Sequence, residues 1–319
     1  MAVGTAVDQR QEQQPRQVSV KHKKGVRYTL GRMRHEWTAY LFISPGLVLF
    51  AVFTFFALIL TMYLTFHRWS IIEPDKPFIG LDNYRRLVKD DSFRRAAINT
   101  IYFTGASVPL TMLVGLGIAL LLNQPLWGRS IFRTIYFLPV VTPFVVVSII
   151  WKWLYQPDYG LFNFYLLKTH LIDQPLLWLS DQNLAMPSVI LMSIWGGIGY
   201  SMVIYLAGLQ SIPQELYEAA EVDGAGAWAR LRYITIPMLR PTTLFLLIIG
   251  IIGSFQVFTQ IFIMTSGGPV EHTTTMVYFI YQTAFINFDM GYASTLAYVL
   301  FLMLLIFTAI NLRLNRQER

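Results

Sequence analysis

The sequence predicts an all-α integral membrane protein with six transmembrane helices. Three observations lead there. Of 319 residues, 55% are hydrophobic and 13% are charged, against about 25% charged in soluble globular chains. The charges are segregated, and six stretches are long and apolar enough to cross a bilayer, which takes about 20 residues. A Lys, Arg or Asp at a helix centre costs roughly 2.5–3.5 kcal/mol on insertion scales, and only one of the six stretches carries a charge.

In chain order, residues 1–38 are expected to be a disordered tail on the cytoplasmic side. This stretch is polar and Gln-rich and carries the basic cluster Lys21-His22-Lys23-Lys24. Its basic region is too long for a signal peptide, and no cleavage-like site follows the first apolar run. The expected spans are 39–66, 97–122, 134–155, 185–209, 242–265 and 293–312. Together they make a membrane domain over 39–313, followed by a short tail at 314–319. The single charge is Lys152, near the end of the third span, where it is expected to snorkel.

Lys and Arg counts set the orientation. With the N-terminus inside, 16 of the 25 Lys and Arg face the cytoplasm, and the C-terminus is cytoplasmic too. The segment from His67 to Arg95 runs against the bias with seven basic residues, but acidic residues are interspersed through it. Pro139 and Pro143 interrupt the third span, and Gly196, Gly197 and Gly199 the fourth. Such breaks in lipid need neighbouring helices or a cavity to take the freed backbone groups.

The connection between the fourth and fifth spans, residues 211–241, is the most informative segment. Ser211 with Gln214 fits a capping box, and a short helix is expected from Ile212 to Asp223. Ile212, Leu216, Ala219 and Ala220 form an apolar stripe, while Glu215, Glu218 and Glu221 run along the other side. Gly224 and Gly226 end the helix. A second helix is expected from Ala227 until Pro237 stops it. A connector lying on lipid would carry Lys and Arg on its polar face. This face is acidic and suits a basic protein groove.

Several function classes lack their residues. No Gly-x-x-x-x-Gly-Lys-Ser/Thr phosphate loop occurs, so any ATP hydrolysis belongs to a partner, and no cofactor is expected on this chain. There are no cysteines, and the five histidines lack metal-ligand spacing. No Gly-x-Ser-x-Gly elbow points to a hydrolase. The chain is read as a non-catalytic transport subunit. A secondary active transporter is the alternative from composition alone, but no acidic residue stands in the spans for ion coupling.

Glu218-Ala219-Ala220, Asp223-Gly224-Ala225, Ile234, Pro237 and Pro241 resemble the EAA signature of permease subunits of bacterial ABC importers. Leu231 stands where that pattern has Phe. The resemblance extends to Gly80-Leu81-Asp82-Asn83-Tyr84, to Phe132-Arg133 through Leu138-Pro139, to Trp151 and Gly160-Leu161-Phe162-Asn163, to Thr265-Ser266-Gly267-Gly268-Pro269, and to Gly291-Tyr292-Ala293-Ser294. Together these segments resemble the carbohydrate-uptake branch, in its maltose- and lactose-type first permease. The resemblance implies a multi-pass protein of the bacterial inner membrane with a coupling-helix loop between its fourth and fifth spans. It implies a second, related permease, two ATP-binding subunits and an extracytoplasmic solute-binding protein as partners. It implies ATPase docking through Glu218, Ala219, Ala220, Asp223, Gly224, Ala225 and Pro237, with alternating access driven by ATP at the partner.

With almost no charge in the spans, a neutral, polyhydroxylated solute such as a sugar or oligosaccharide is expected; a polyol or glycerol phosphate is the alternative within the same family. Ser254, Gln256, Thr259 and Gln260 are the candidate hydrogen-bonding residues. Trp195, Tyr200, Phe255 and Phe258 are the candidates for stacking on sugar faces.

Overall fold

The computed structural model describes residues 37–125 and 127–316. The tail expected over 1–38 lies almost wholly outside the described residues. The chain divides into two units, one ending at Leu58 and the other beginning at Ile59. The described part of the first unit is helical from Trp37 onward, with Pro45 inside the helix and a π-helical turn at Ala51–Phe56. The apolar helix α1 (Tyr40–Leu64) runs across the division.

The second unit is helical throughout its regular structure, and the described residues contain only isolated β-bridges. In order it holds α2 (Asp82–Lys89), α3 (Asp91–Leu122), α4 (Arg129–Val141), α5 (Phe144–Leu154), α6 (Leu161–Lys168) and α7 (Ala185–Gln210). Then come α8 (Gln214–Val222), α9 (Ala227–Met238), α10 (Arg240–Phe255), α11 (Thr259–Met264), α12 (Met276–Ile286) and α13 (Met290–Arg316).

Among the described residues, four helices are long and apolar enough to cross a membrane uninterrupted: α1, α3, α7 and the Met290–Asn311 part of α13. The stretch expected as the third span is instead two helices, α4 and α5, meeting at 98°. Sterics at Pro143 push Thr142 out of the helical region, to φ −81° and ψ 129°. The stretch expected as the fifth span also comes in two pieces. α10 stops at Phe255, and three residues pass before the short α11 begins. α9 and α10 meet at 60° around the buried Leu239.

The three glycines expected to interrupt the fourth span do not, since α7 is continuous from Ala185 to Gln210. They let helices approach instead. A Cβ on Gly199 would collide with the Tyr136 carbonyl oxygen of α4, and one on Gly197 would press on Thr111 of α3 at 3.1 Å.

α3 and α7 lie side by side along their length and carry two buried clusters. One holds Phe103, Trp151, Tyr155, Met192, Ile261 and Tyr278, joining α5, α11 and α12 to the pair. The other holds Met112, Met202, Tyr205, Leu206, Leu239 and Leu246, joining α10. Asp90 caps α3, accepting from the amides of Ser92 at 2.9 Å and Phe93 at 3.2 Å. The same end is tied to the segments before α12 and α13. Arg95 pairs with Glu271 at 3.1 Å, Arg86 with Asp289 at 2.6 Å, and Asn99 donates to the Glu271 carbonyl at 2.8 Å.

Candidate docking loop and solute cavity

α8 begins later than its sequence suggests. Pro213 takes the N-cap position, and no side chain caps the helix. The Ser211 hydroxyl turns back to the Gly208 carbonyl at 2.7 Å, so the expected capping box is not formed. The packing face differs too. Ile212 is buried, but Leu216 is exposed, and Tyr217 is the α8 residue packed against the inner cluster. Its hydroxyl shares a 2.9 Å hydrogen bond with Thr235, buried in the π-helical turn Leu231–Thr235 of α9.

The end of α8 is set by Gly224. Its φ of +77° lies in the left-handed region, where a side chain costs roughly 1–2 kcal/mol. The amide of Ala225 reaches the Ala220 carbonyl at 2.8 Å and that of Gly224 reaches Glu221 at 3.0 Å. That pairing of a six-residue and a four-residue closure is the Schellman arrangement. Pro237 does not stop the second helix; it lies one residue before its end, and the bend follows at Leu239.

The sequence-predicted docking residues therefore stand together on one helix–turn–helix. Glu218, Ala219, Asp223 and Gly224 are exposed, while Ala220, Ala225 and Pro237 are half-buried. Glu221 pairs with Arg230 at 3.2 Å, and Glu218 forms no ion pair among the described residues. No basic residue occupies the last turn of α8, although Glu221 and Asp223 sit at its carbonyl end, where the helix dipole favours cations. Sequence reasoning missed the exposed apolar residues of the loop, Val222 (89% exposed), Tyr233 (76%) and Trp228 (74%). They fall off the helical stripe that the reading followed.

A cavity of about 450 Å³ opens between α3, α5, α7, α10 and α11. Of the residues predicted for a solute pathway, Tyr200, Ser254, Gln256, Phe258, Thr259 and Gln260 are in its wall. The other two are elsewhere. Trp195 packs on Trp151 with ring centroids 5.7 Å apart, and Phe255 packs against the inner cluster. The break after α10 explains the division: it turns Gln256 and the start of α11 toward the cavity while Phe255 stays on the helix.

Among the described residues, no Asp, Glu, Lys or Arg lines the cavity. Its far wall comes from Gly197 of α7 and from residues the sequence reading passed over: Phe103, Ser107 and Thr111 of α3, Phe144 at the start of α5, and Ser193 of α7. The signal was a face of α3 repeating every four residues. Ser193 bonds its own helix at Val189 (2.8 Å), as membrane serines commonly do. Ser107 is 4% exposed, and its hydroxyl has no partner.

Comparison with known proteins agrees with this architecture. The family model described as the inner membrane component of binding-protein-dependent transport systems matches residues 95–317. The chain is 34% identical over 288 residues to the trehalose/maltose transport system permease protein MalF of Thermococcus litoralis, covering 90% of this chain and 97% of that protein. It is 34% identical over 291 residues to the lactose transport system permease protein LacF of Rhizobium radiobacter, covering 89% and 96%. In fold it is similar to a chain of a bacterial ABC transporter involved in import of the acidic polysaccharide alginate, with a TM-score of 0.80 at 24% identity, covering 91% of this chain and 99% of that one. The chain belongs to the family of inner membrane permease components of binding-protein-dependent ABC transport systems.

Proposed function

We propose that this permease moves a neutral sugar or oligosaccharide inward through the cavity between α3, α7, α10 and α11. The observation that carries the reading is the cavity wall: hydroxyls, amides and aromatic rings, with no charged side chain. Such a lining can exchange hydrogen bonds with solute hydroxyls and stack on ring faces, but it offers no counter-ion to a charged solute. The two relatives above are named for maltose, trehalose and lactose transport, which supports the saccharide class.

In this reading the work comes from outside the chain. α8 enters a cleft on an ATPase subunit, and Glu218 meets a basic residue there. The acidic carbonyl end of α8 supports a cationic groove as its seat. Closure of two ATPases on nucleotide pushes this loop and its counterpart on a second permease together, and α9–α10 carries the movement to the cavity wall. A solute-binding protein delivers the sugar on the opposite face, with both termini of this chain in the cytoplasm.

The test is uptake by the complete complex in proteoliposomes, screened over labelled neutral and acidic saccharides. Neutral saccharides are expected to accumulate on ATP addition, and Gln256→Leu or Gln260→Leu to change the order of preference among them. Exclusive uptake of acidic solutes, or an order unchanged by both variants, overturns the reading.

A further inference from the structure

α11 is six residues long, too short to hold its own shape, since isolated helices below about 12 residues are marginal even in favourable sequences. It also follows a break, and an unpartnered carbonyl at apolar depth costs several kcal/mol. Something outside α11 must therefore hold it in place.

Two side chains from elsewhere in the chain take carbonyls at its two ends. The Thr275 hydroxyl donates to the Val257 carbonyl at 3.1 Å, just before the helix. The Lys152 ammonium, from α5, donates to the Ile263 carbonyl at 2.9 Å, in its last turn. That contact places the Lys152 charge at the negative end of a short helix. Thr275 is itself fixed. It is fully buried, and the next amide, that of Met276, donates to Thr100 of α3 at 2.9 Å.

Neither Thr275 nor Lys152 lines the cavity, whereas Gln256, Thr259 and Gln260 do. We propose that Thr275 and Lys152 are positioning residues that clamp α11 at both ends and so set solute discrimination by those three side chains. The clamp rests on the reading of the cavity as the solute site. Its effect follows from geometry: a binding constellation needs placement within about 0.5 Å, and each lost clamp bond frees one end of a six-residue helix.

The test compares two neutral saccharides that differ in one hydroxyl, in proteoliposomes holding the full complex, and reads the ratio of their kcat/KM values. That ratio does not depend on how much protein is active. Thr275→Val keeps shape and removes the hydroxyl, and Lys152→Met keeps length and removes the charge. Each is expected to shift the ratio about 3- to 10-fold, the equivalent of one hydrogen bond. Thr275→Ser is expected to restore it, and Thr275→Val with Gln256→Leu to give less than the product of the single effects. Should Thr275→Val fail to accumulate, the exposed Lys152 carries the test through Lys152→Met. A wild-type ratio in Thr275→Val and Lys152→Met alongside a shifted one in Gln256→Leu overturns the clamp alone. A wild-type ratio in all three overturns the cavity reading and the clamp with it.

Discussion

Tyr292 donates its hydroxyl to the Asp90 carboxylate at 2.6 Å, joining residues 202 positions apart. Asp90 is thus shared: one oxygen caps α3 and the other accepts from α13. The Arg86 guanidinium lies over the Tyr292 ring, 4.0 Å from its centroid. A hydrogen bond to a charged group contributes about 1.5–3 kcal/mol. Tyr292→Phe is expected to lower the thermal midpoint of the detergent-solubilised complex by several degrees while leaving its subunit composition intact. An unchanged midpoint counts against this bond as a tie between α3 and α13.

Gly224 and Gly226 look alike in the sequence but are not alike in the structure. Gly224 has φ +77° and Gly226 φ −68°, while an added Cβ at either would meet no atom within 4 Å, so only the backbone conformation separates them. Gly224→Ala is expected to cost about 1–2 kcal/mol at the turn and to weaken retention of the ATPase roughly 10-fold in co-purification. Gly226→Ala should behave as wild type. Equal behaviour of the two variants would show that the turn geometry does not govern docking.

Glu218 offers the sharpest test of the docking face. It is exposed at mid-helix, without an ion pair among the described residues. Glu218→Lys reverses a charge without disturbing any buried contact. The variant is expected to reach the membrane at wild-type levels and lose ATP-driven uptake. Normal uptake would sink the assignment of α8 as the ATPase contact.

Gly199 tests packing rather than function. A methyl group there meets the Tyr136 backbone, which cannot swing away as a side chain would, whereas one on Gly105 meets nothing within 4 Å. Gly199→Ala is expected to cost about 1–3 kcal/mol through overpacking and to lower the amount of folded protein. Gly105→Ala should have no measurable effect in the same fluorescence-detected size-exclusion assay.

The long spans were legible because lipid demands uninterrupted apolar runs, which hydropathy counts directly. Breaks were harder to place, because apolar character is the same on both sides of a bend. The real signals were local: Thr142 before Pro143, and the polar Gln256 after Phe255. The Ser211–Gln214 capping pattern misled because Pro213, between them, takes the N-cap place itself. In the loop, the acidic face and the glycine turn were readable from spacing. Trp228 and Tyr233 were not, since their exposure depends on how α9 lies. In the cavity, the half built from the fifth span was readable as a polar cluster in an apolar run. The α3 half was not, because Ser107 and Thr111 look like the serines and threonines of any membrane helix until a neighbour's position shows what they face.

The 98° corner between α4 and α5 bears on how the chain enters the bilayer as it is made. α4 has 13 residues and α5 has 11, about 20 Å and 17 Å of helix at 1.5 Å per residue, against a hydrocarbon core of about 30 Å. Neither half can settle across the membrane as an independent stage of insertion. α4 finds its backbone contact on α7, which is synthesised later, and α5 shares its cluster with α11, later still. The corner therefore gains its packing only once the helices that receive it, α7 and α11, have been made.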